Sequence, residues 1–332
     1  MKYPGLIAVA VSGGAALALL PMAAGAAQAP ADIVAAAPRA AWIPIPADSL
    51  IVMDLSPDRG GKARRIVIQL MPTPFAAGHV ANIKALARHH WWDGTSVNRV
   101  QDNYVVQWGD ATEKKPLPAD LVKVPDSDYV VPATALPSEA RPAPAAGSSP
   151  EGQAAIAGTI TPSAPDGWHE RDSYAPWVGI HAGWPIASDR ESAWPVHCYG
   201  MVGVGRDLSP DTGTGAELYV VIGQAPRQLD RNIALVGRII AGIEHLSSLP
   251  RGTGALGFYK TAGERTPIQS VRLASELPAA TRPRFEYLSD HSQDFARYVA
   301  ARANRKDSFY SRPAGAIDIC NIVPPVRVVS KR

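Results

Sequence analysis

Residues 92–110, WDGTSVNRVQDNYVVQWGD, are the most informative part of the sequence. Asp93-Gly94 is a strong turn signal, because glycine adopts backbone conformations that other residues avoid. Two runs rich in β-branched and aromatic residues follow, at 95–100 and 104–108. Such runs favour strands. This stretch therefore predicts a turn followed by two short strands.

Further elements are predicted on both sides of this stretch. Upstream, residues 65–70 alternate so that Ile66, Ile68 and Leu70 share one face of a strand. Residues 75–88 show helical periodicity, with Val80, Ile83 and Ala87 on one face. Downstream the sequence predicts strands at 200–204, 217–222, 233–238 and 268–273 and a short helix at 241–249. Many short strands with two helices indicate a mainly β barrel or sandwich, not a βαβ fold.

The composition excludes several classes of protein. The 332 residues include 31 prolines and 28 glycines, which argues against a helical bundle, since proline inside a helix breaks its hydrogen bonds. Hydrophobic residues make up 46% and charged residues 19%, so a packed core is expected. The formal net charge of +3 is too small to indicate nucleic acid as the main partner.

The first 26 residues are typical of a secretory signal peptide. Lys2 gives a positive start, an apolar run at 6–20 follows, and small residues near Ala26 offer a cleavage site. The alternative is a membrane anchor, but the run is short and Pro21 ends it. We therefore expect export to the periplasm or medium, with no membrane span after cleavage. That compartment permits a disulfide between Cys198 and Cys320; the alternative is two separate buried thiols.

A long segment between the two strand-rich blocks differs in composition. Thirteen of the 31 prolines lie within residues 111–197. Residues 132–166 consist largely of Pro, Ala, Gly and Ser, a composition that buries too little apolar area to order the chain. The later part carries Trp168, Trp177, Trp184 and Trp194 and is expected to pack against the body of the protein. We therefore predict a partly disordered insert at 111–198.

Familiar motifs for cofactors and metals carry little weight here. Residues 252–257 match GxGxxG but lack the strand before and the helix after it, so a flexible turn is favoured over a dinucleotide site. His89 and His90 are adjacent and do not share a helix face, which favours a solvated helix end over a metal site. The sequence contains no GxSxG, HExxH or Walker motif. We expect no cofactor and no metal.

The order of these elements resembles the cyclophilin family of peptidyl-prolyl isomerases. Residues 74–87, PFAAGHVANIKALA, look like the family's first helix, and 92–100, WDGTSVNRV, is similar to its Tyr-Asp-Gly-Thr-x-Phe-His-Arg-Val motif. Residues 104–110, YVVQWGD, follow at the family's spacing. Residues 215–220, GAELYV, resemble Gly-Ser-Gln-Phe-Phe-Ile, and 229–230 with 236–242 resemble the closing strand and second helix.

This resemblance implies a closed antiparallel eight-stranded β-barrel capped by two helices. The sequence adds to it the insert and a C-terminal extension in which residues 280–306 look helical and polar. The implied domain is discontinuous, at 64–110 and 199–275. It follows the signal peptide at 1–26 and an extended lead-in at 27–63, and it precedes the extension at 276–332.

The resemblance also implies catalytic residues. Rotation about an X–Pro bond is limited by amide resonance, with a barrier of ~18–20 kcal/mol. Arg99 matches the family arginine that stabilises the twisted amide, and Gln107 matches the glutamine that helps to position it. The residues matching the substrate pocket are Tyr104, Val105, Glu217, Leu218, Tyr219, Leu229 and Ile233. The implied partners are proline-containing polypeptides, and a monomer is expected.

Several residues depart from the family's pattern. Asn98 and Ile233 each stand where histidine is usual, Glu217 where glutamine is, Tyr219 where phenylalanine is, and Gln228 where tryptophan is frequent. Two hypotheses therefore remain. One is an exported peptidyl-prolyl isomerase. The other is a catalytically weak or inactive protein of the same fold that binds peptides or serves as a scaffold.

Overall fold

The computed structural model describes residues 28–136, 169–170, 172–307 and 309–329. The signal peptide predicted at 1–26, Trp168 and the most Pro/Ala-rich part of the insert lie outside the described residues. The helices are α1 Pro30–Ala36, α2 Ala77–Arg88, α3 Glu244–Ser247 and α4 Gln293–Ala303. The strands are β1 Trp42–Pro44, β2 Leu50–Leu55, β3 Arg64–Leu70, β4 Ser96–Val100, β5 Val105–Gly109, β6 Val131–Pro132, β7 His169–Glu170, β8 Trp177–His181, β9 Trp184–Ser188, β10 Ser192–Pro195, β11 Met201–Val204, β12 Leu218–Val221, β13 Leu235–Ala241, β14 Thr266–Leu273, β15 Phe285–Leu288 and β16 Val326–Val328.

Eight of these strands close into a barrel. Their order around it is β11-β12-β5-β4-β14-β2-β3-β13, and every neighbouring pair is antiparallel. The prediction of a mainly β, closed, eight-stranded antiparallel barrel is confirmed. Ile66, Ile68 and Leu70 face its interior together, as their alternation predicts.

The two predicted helices cover the barrel. α2 buries Ile83, Leu86 and Ala87 against the barrel core, and Leu246 of the short α3 joins the same cluster. α2 begins at Ala77, two residues later than its periodicity predicts, after a turn in which Ala76 has a positive φ of 52°. α2 packs beside β14, and α3 packs beside β3.

The predicted lead-in at 27–63 is wrong in one respect, because it contains a barrel strand. β2 pairs with β3 and β14, so the barrel begins at Leu50 and not at residue 64. The strand reads LIVMDL without alternation because both of its faces are buried. Ile51 and Met53 face the barrel interior, while Leu50 and Val52 pack on the other side against Phe285 of the C-terminal extension.

A second layer covers part of the outer face of the barrel. The insert forms a five-stranded sheet, β6-β10-β9-β8-β7, and the chain ends form the sheet β1-β15-β16. A cluster that includes Trp184, Trp194 and Phe295 packs this layer against Met201 and Leu235 of the barrel. The described ends of the insert are therefore folded.

The C-terminal extension is helical only in part. The prediction of a polar helix over 280–306 holds for α4, but β15 precedes it and pairs with β1 and β16. The two partners of β15 lie far from it in sequence, near the two ends of the chain, so the local sequence does not indicate its pairing. None of the helices in the described part of the chain is long and apolar enough to cross a membrane.

A disulfide joins the two cysteines. Cys198 lies between β10 and β11, and Cys320 lies in a 3-10 turn at Ile319–Asn321. The sequence leaves open a disulfide or two separate buried thiols, and the structure has the disulfide. The bond ties the last residues of the insert to the C-terminal extension.

Candidate active site

Four residues form a row across neighbouring strands on the outer side of the barrel. Arg99 on β4 stands opposite Gln107 on β5, Gln107 stands opposite Tyr219 on β12, and Tyr219 stands opposite Gly203 on β11. Directly paired residues of antiparallel strands point to the same face of a sheet. The barrel register therefore brings together Arg99 and Gln107, which the sequence predicts to be catalytic.

Arg99, Gln107 and Tyr219 of this row line a groove of about 560 Å³. Eight of the nine residues predicted for catalysis or for the pocket line it: Arg99, Tyr104, Val105, Gln107, Glu217, Tyr219, Leu229 and Ile233. These residues come from two stretches of sequence, 99–107 and 217–233, which the pairing of β5 with β12 brings together.

Leu218 is the exception, and its predicted role in the pocket is wrong. It is buried in the barrel core, on the opposite face of β12 from Glu217 and Tyr219. Successive side chains of a strand point to opposite faces, so adjacent residues of β12 do not line the same groove.

The Arg99 guanidinium is held by groups of the chain itself. Its Nε donates to the Leu256 carbonyl at 2.7 Å, and its Nη1 donates to Gln107 Oε1 at 3.3 Å. Its Nη2 donates to Gln101 Oε1. Arginine has five N–H donors, so one N–H on each terminal nitrogen is left for a ligand in the groove. Partial burial lowers the pKa of Arg99, but an arginine stays charged at any ordinary pH.

Two aromatic rings flank this guanidinium. Its Cζ lies 5.7 Å from the centroid of the Tyr104 ring and 5.2 Å from that of Phe258. Both distances fit cation–π contacts. Phe258 was missed by the sequence interpretation, although it directly follows the glycine-rich turn at 252–257. That turn carries the Leu256 carbonyl, so the GxGxxG match is part of the wall around Arg99.

The floor of the groove beside Arg99 is apolar. Val105, Tyr219 and Val221 form a small buried cluster, separate from the barrel core, with Leu229 and Ile233 packed against it. The Tyr219 ring is 5% exposed. Its hydroxyl lies 2.9 Å from His197 Nε2. The polar atom that tyrosine adds where phenylalanine is usual therefore has a buried hydrogen-bond partner. Burial raises the pKa of Tyr219 well above its usual value, which keeps the phenol neutral.

Glu217 places a carboxyl group beside the apolar floor. Burial raises its pKa, although Asn98 Nδ2 donates to Glu217 Oε2 at 3.4 Å and Gln107 also hydrogen-bonds to it. Gln107 therefore contacts Arg99 through its carbonyl oxygen and Glu217 through its amide nitrogen. The three side chains form one connected polar edge along the apolar floor.

Asp110 orders the loop at the polar end of the groove. Burial opposes its ionisation, but N–H groups of Lys115, Thr112 and Lys114 donate to it and lower its pKa to about 2. Lys115 and Glu113 of the same loop line the groove. This end is thus built from charged groups around one fixed carboxylate.

The arrangement can bind a small apolar ring under a fixed cation. A donor held beside an amide nitrogen favours the twisted amide, because it competes with the conjugation of that nitrogen to the carbonyl. In the described part of the chain, no three His, Cys, Asp or Glu side chains lie close enough to hold a metal ion. His89, which follows the last residue of α2, forms an ion pair with Asp120.

Comparisons with known proteins agree with this architecture. The family model described as "Cyclophilin type peptidyl-prolyl cis-trans isomerase/CLD" matches residues 53–275. The solved structure of cyclophilin AquaCyp293 from Hirschia baltica is 20% identical, with a TM-score of 0.57, over 88% of this chain and 95% of that one. A cyclophilin-type peptidyl-prolyl cis-trans isomerase from Cryptosporidium parvum, crystallised in the presence of the dipeptide Ala-Pro, is 11% identical, with a TM-score of 0.37, over 67% of this chain and 98% of that one. A search of curated protein sequences gives no match.

Proposed function

Because the chain belongs to the cyclophilin-type peptidyl-prolyl cis-trans isomerase family, we propose that it catalyses rotation about X–Pro bonds in proline-containing polypeptides. The observation that supports this most directly is the fixed Arg99 guanidinium beside the apolar floor that includes Val105 and Tyr219. The floor would hold the proline ring. Arg99 would donate a free N–H toward the prolyl nitrogen.

The catalysis requires no covalent intermediate. In a planar amide the nitrogen lone pair is delocalised into the carbonyl, and in the twisted transition state it becomes available as an acceptor. A donor that binds the lone pair only in the twisted state lowers the barrier without tightening ground-state binding. Gln107 and the Leu256 carbonyl hold Arg99 in place, so little reorganisation is needed during the rotation.

The place of action that we propose is the periplasm or the medium. The apolar run at 6–20 with small residues near Ala26 supports export. The Cys198–Cys320 disulfide supports an oxidising compartment, since such bonds are rare in the cytosol. We propose that the protein acts there on unfolded or partly folded clients, as a monomer.

An isomerisation assay on a proline-containing peptide, read by NMR exchange without a coupled protease, tests this proposal. We expect Arg99→Ala to lower kcat/KM by ~100-fold or more, the effect typical of removing one fixed donor from a transition state. Arg65→Ala is the matched control, because Arg65 is a barrel arginine on β3 paired with Asp54 and does not line the groove. Wild-type activity no higher than that of Arg99→Ala would refute the proposal.

A second candidate function is peptide binding without catalysis. It is favoured by the hydrogen bonds that three of the five Arg99 N–H groups already make within the chain itself, and by Ile233 at a pocket position where the family usually has histidine. This function predicts peptide binding that survives Arg99→Ala, with no acceleration of isomerisation by either protein. Titration of the same peptide into both proteins separates the two functions.

A further inference from the structure

A chain of buried polar side chains lies behind the floor of the pocket. The Tyr219 hydroxyl lies 2.9 Å from His197 Nε2, and His197 Nδ1 lies 2.9 Å from Asp230 Oδ1. Arg227 Nε donates to Asp230 Oδ2 at 2.7 Å, and Arg227 Nη1 donates to Asp172. His197 is fully buried, and neither it nor Asp230 lines the groove. Among the described side chains of this polar chain, Tyr219 is the one that lines the groove.

The donors and acceptors of this chain can be assigned. The Asp230 carboxylate only accepts, so His197 Nδ1 donates to it, and the backbone N–H of His197 donates to the same oxygen. In the tautomer with its proton on Nδ1, the imidazole presents Nε2 as an acceptor, and the Tyr219 hydroxyl donates to it. Asp230 and Arg227 thus favour the tautomer of His197 that accepts a hydrogen bond from the Tyr219 hydroxyl.

The backbone opposite Tyr219 leaves room for this contact. Gly203 is its direct partner on β11, and a Cβ there would collide with the Tyr219 hydroxyl oxygen. The rings of Tyr219 and His197 are nearly parallel, with an angle of 10° and a centroid distance of 6.4 Å. The phenol ring therefore lies against Gly203, and its hydroxyl points away from the groove toward His197.

We propose that His197 is a positioning residue that keeps the proline pocket open by holding the Tyr219 hydroxyl out of it. A buried hydroxyl without a partner is costly, so without His197 the phenol would turn toward water. Its exit is the groove that its ring already lines, and there it would occupy the space of the proline ring. The inference rests on the proposed function for the identity of that ring.

This assigns a role to the insert. His197 comes from the end of the insert, and the next residue, Cys198, is joined to the C-terminal extension. Asp172, from the start of the described later part of the insert, pairs with Arg227 at the other end of the polar chain. The insert thus supplies both ends of the support behind the pocket floor.

A double-mutant cycle tests the proposal. We expect His197→Ala to raise the KM for a proline tetrapeptide so that kcat/KM falls ~5- to 150-fold, the ratio that corresponds to the ~1–3 kcal/mol of an unsatisfied buried group. In the Tyr219→Phe background, where there is no hydroxyl to hold, the same His197→Ala change should alter kcat/KM less than about twofold. An equal loss in both backgrounds, or no loss from His197→Ala alone, would overturn the proposal.

Controls separate this result from misfolding and from failure of the proposed function. Circular dichroism shows whether each variant folds, and His197→Met, which fills the space of the imidazole, replaces His197→Ala in the cycle if the latter does not. If the wild type does not isomerise the peptide, the proposed function fails. The inference is then decided by NOE contacts between the Tyr219 ring and Val221. Their loss in the His197 variant supports the proposal, and their retention refutes it.

Discussion

Reduction of the Cys198–Cys320 disulfide should destabilise the protein strongly without removing any packed group. The bond closes a loop over a sequence separation of 122. Cys198 is buried and Cys320 is half-buried, so two thiols fit where the bond was. The main effect of reduction is therefore on the unfolded chain, which gains conformations that the bond forbids.

The size of the effect follows from the loop length. The chain-entropy relation gives ~16 cal/mol/K for a loop of this size, which is ~5 kcal/mol at 25 °C. An entropy of unfolding of about 2 cal/mol/K per residue amounts to about 0.6 kcal/mol per degree for the folded part of this chain. Reduction should therefore lower the melting temperature by ~8 °C.

Thermal unfolding of oxidised and reduced wild type, followed by circular dichroism, measures this difference. Alkylation under denaturing conditions and mass spectrometry show whether the bond is present in each sample. Cys320→Ser serves as the control, because it has no partner thiol and should melt at the same temperature with and without reductant. If the bond is present and the two wild-type transitions lie within ~1 °C, the chain-entropy reasoning is wrong for this protein.

Three further predictions concern the groove. Glu217→Gln should raise the melting temperature at pH 7 and leave it unchanged below pH 4.5. Burial raises the pKa of Glu217 in the folded state, so the folded state binds more protons than the unfolded state. The wild type therefore loses stability as the pH rises above 4.5, the usual pKa of this group. A constant difference across a pH series of melting curves would contradict this cause. Gly203→Ala should cost ~1–3 kcal/mol in urea unfolding and weaken peptide binding, because the added methyl displaces the Tyr219 hydroxyl; an unchanged midpoint would show that the strand shifts freely. Phe258→Ala should lower kcat/KM about two- to fivefold, the equivalent of one exposed cation–π contact with Arg99 worth ~0.5–1 kcal/mol, and an unchanged value in the isomerisation assay would show that the ring does not contribute.

The sequence is most informative where local signals and the family's motif coincide. The Asp93-Gly94 turn, the strands after it and the alternation of Ile66, Ile68 and Leu70 are local, and the structure has them as predicted. The same motif leads to Arg99 and Gln107, because both lie on one hairpin. Residues joined by short-range pairing are thus predictable from the pattern.

The remaining features depend on contacts that are distant in sequence. β2 lacks alternation because the second layer covers its outer face, and that layer is built from the two ends of the chain and the insert. The motif match alone places Leu218 in the pocket, whereas the alternation along β12 directs its side chain into the barrel core. His197 gives no signal at all, since its partners Tyr219 and Asp230 are known only from the folded structure.

The pairing of β2 with β14 has a consequence for how the chain reaches its native state. β2 comes near the beginning of the chain, and β14, which joins it to β4, comes near residue 270. Until β14 has been synthesised, β2 and β4 each present an unpaired edge. The apolar outer face of β2 also stays uncovered until β15 has been made. Exposed strand edges promote association between incomplete chains. A nascent copy of this protein is therefore open to association with other chains until residues 266–288 have been made.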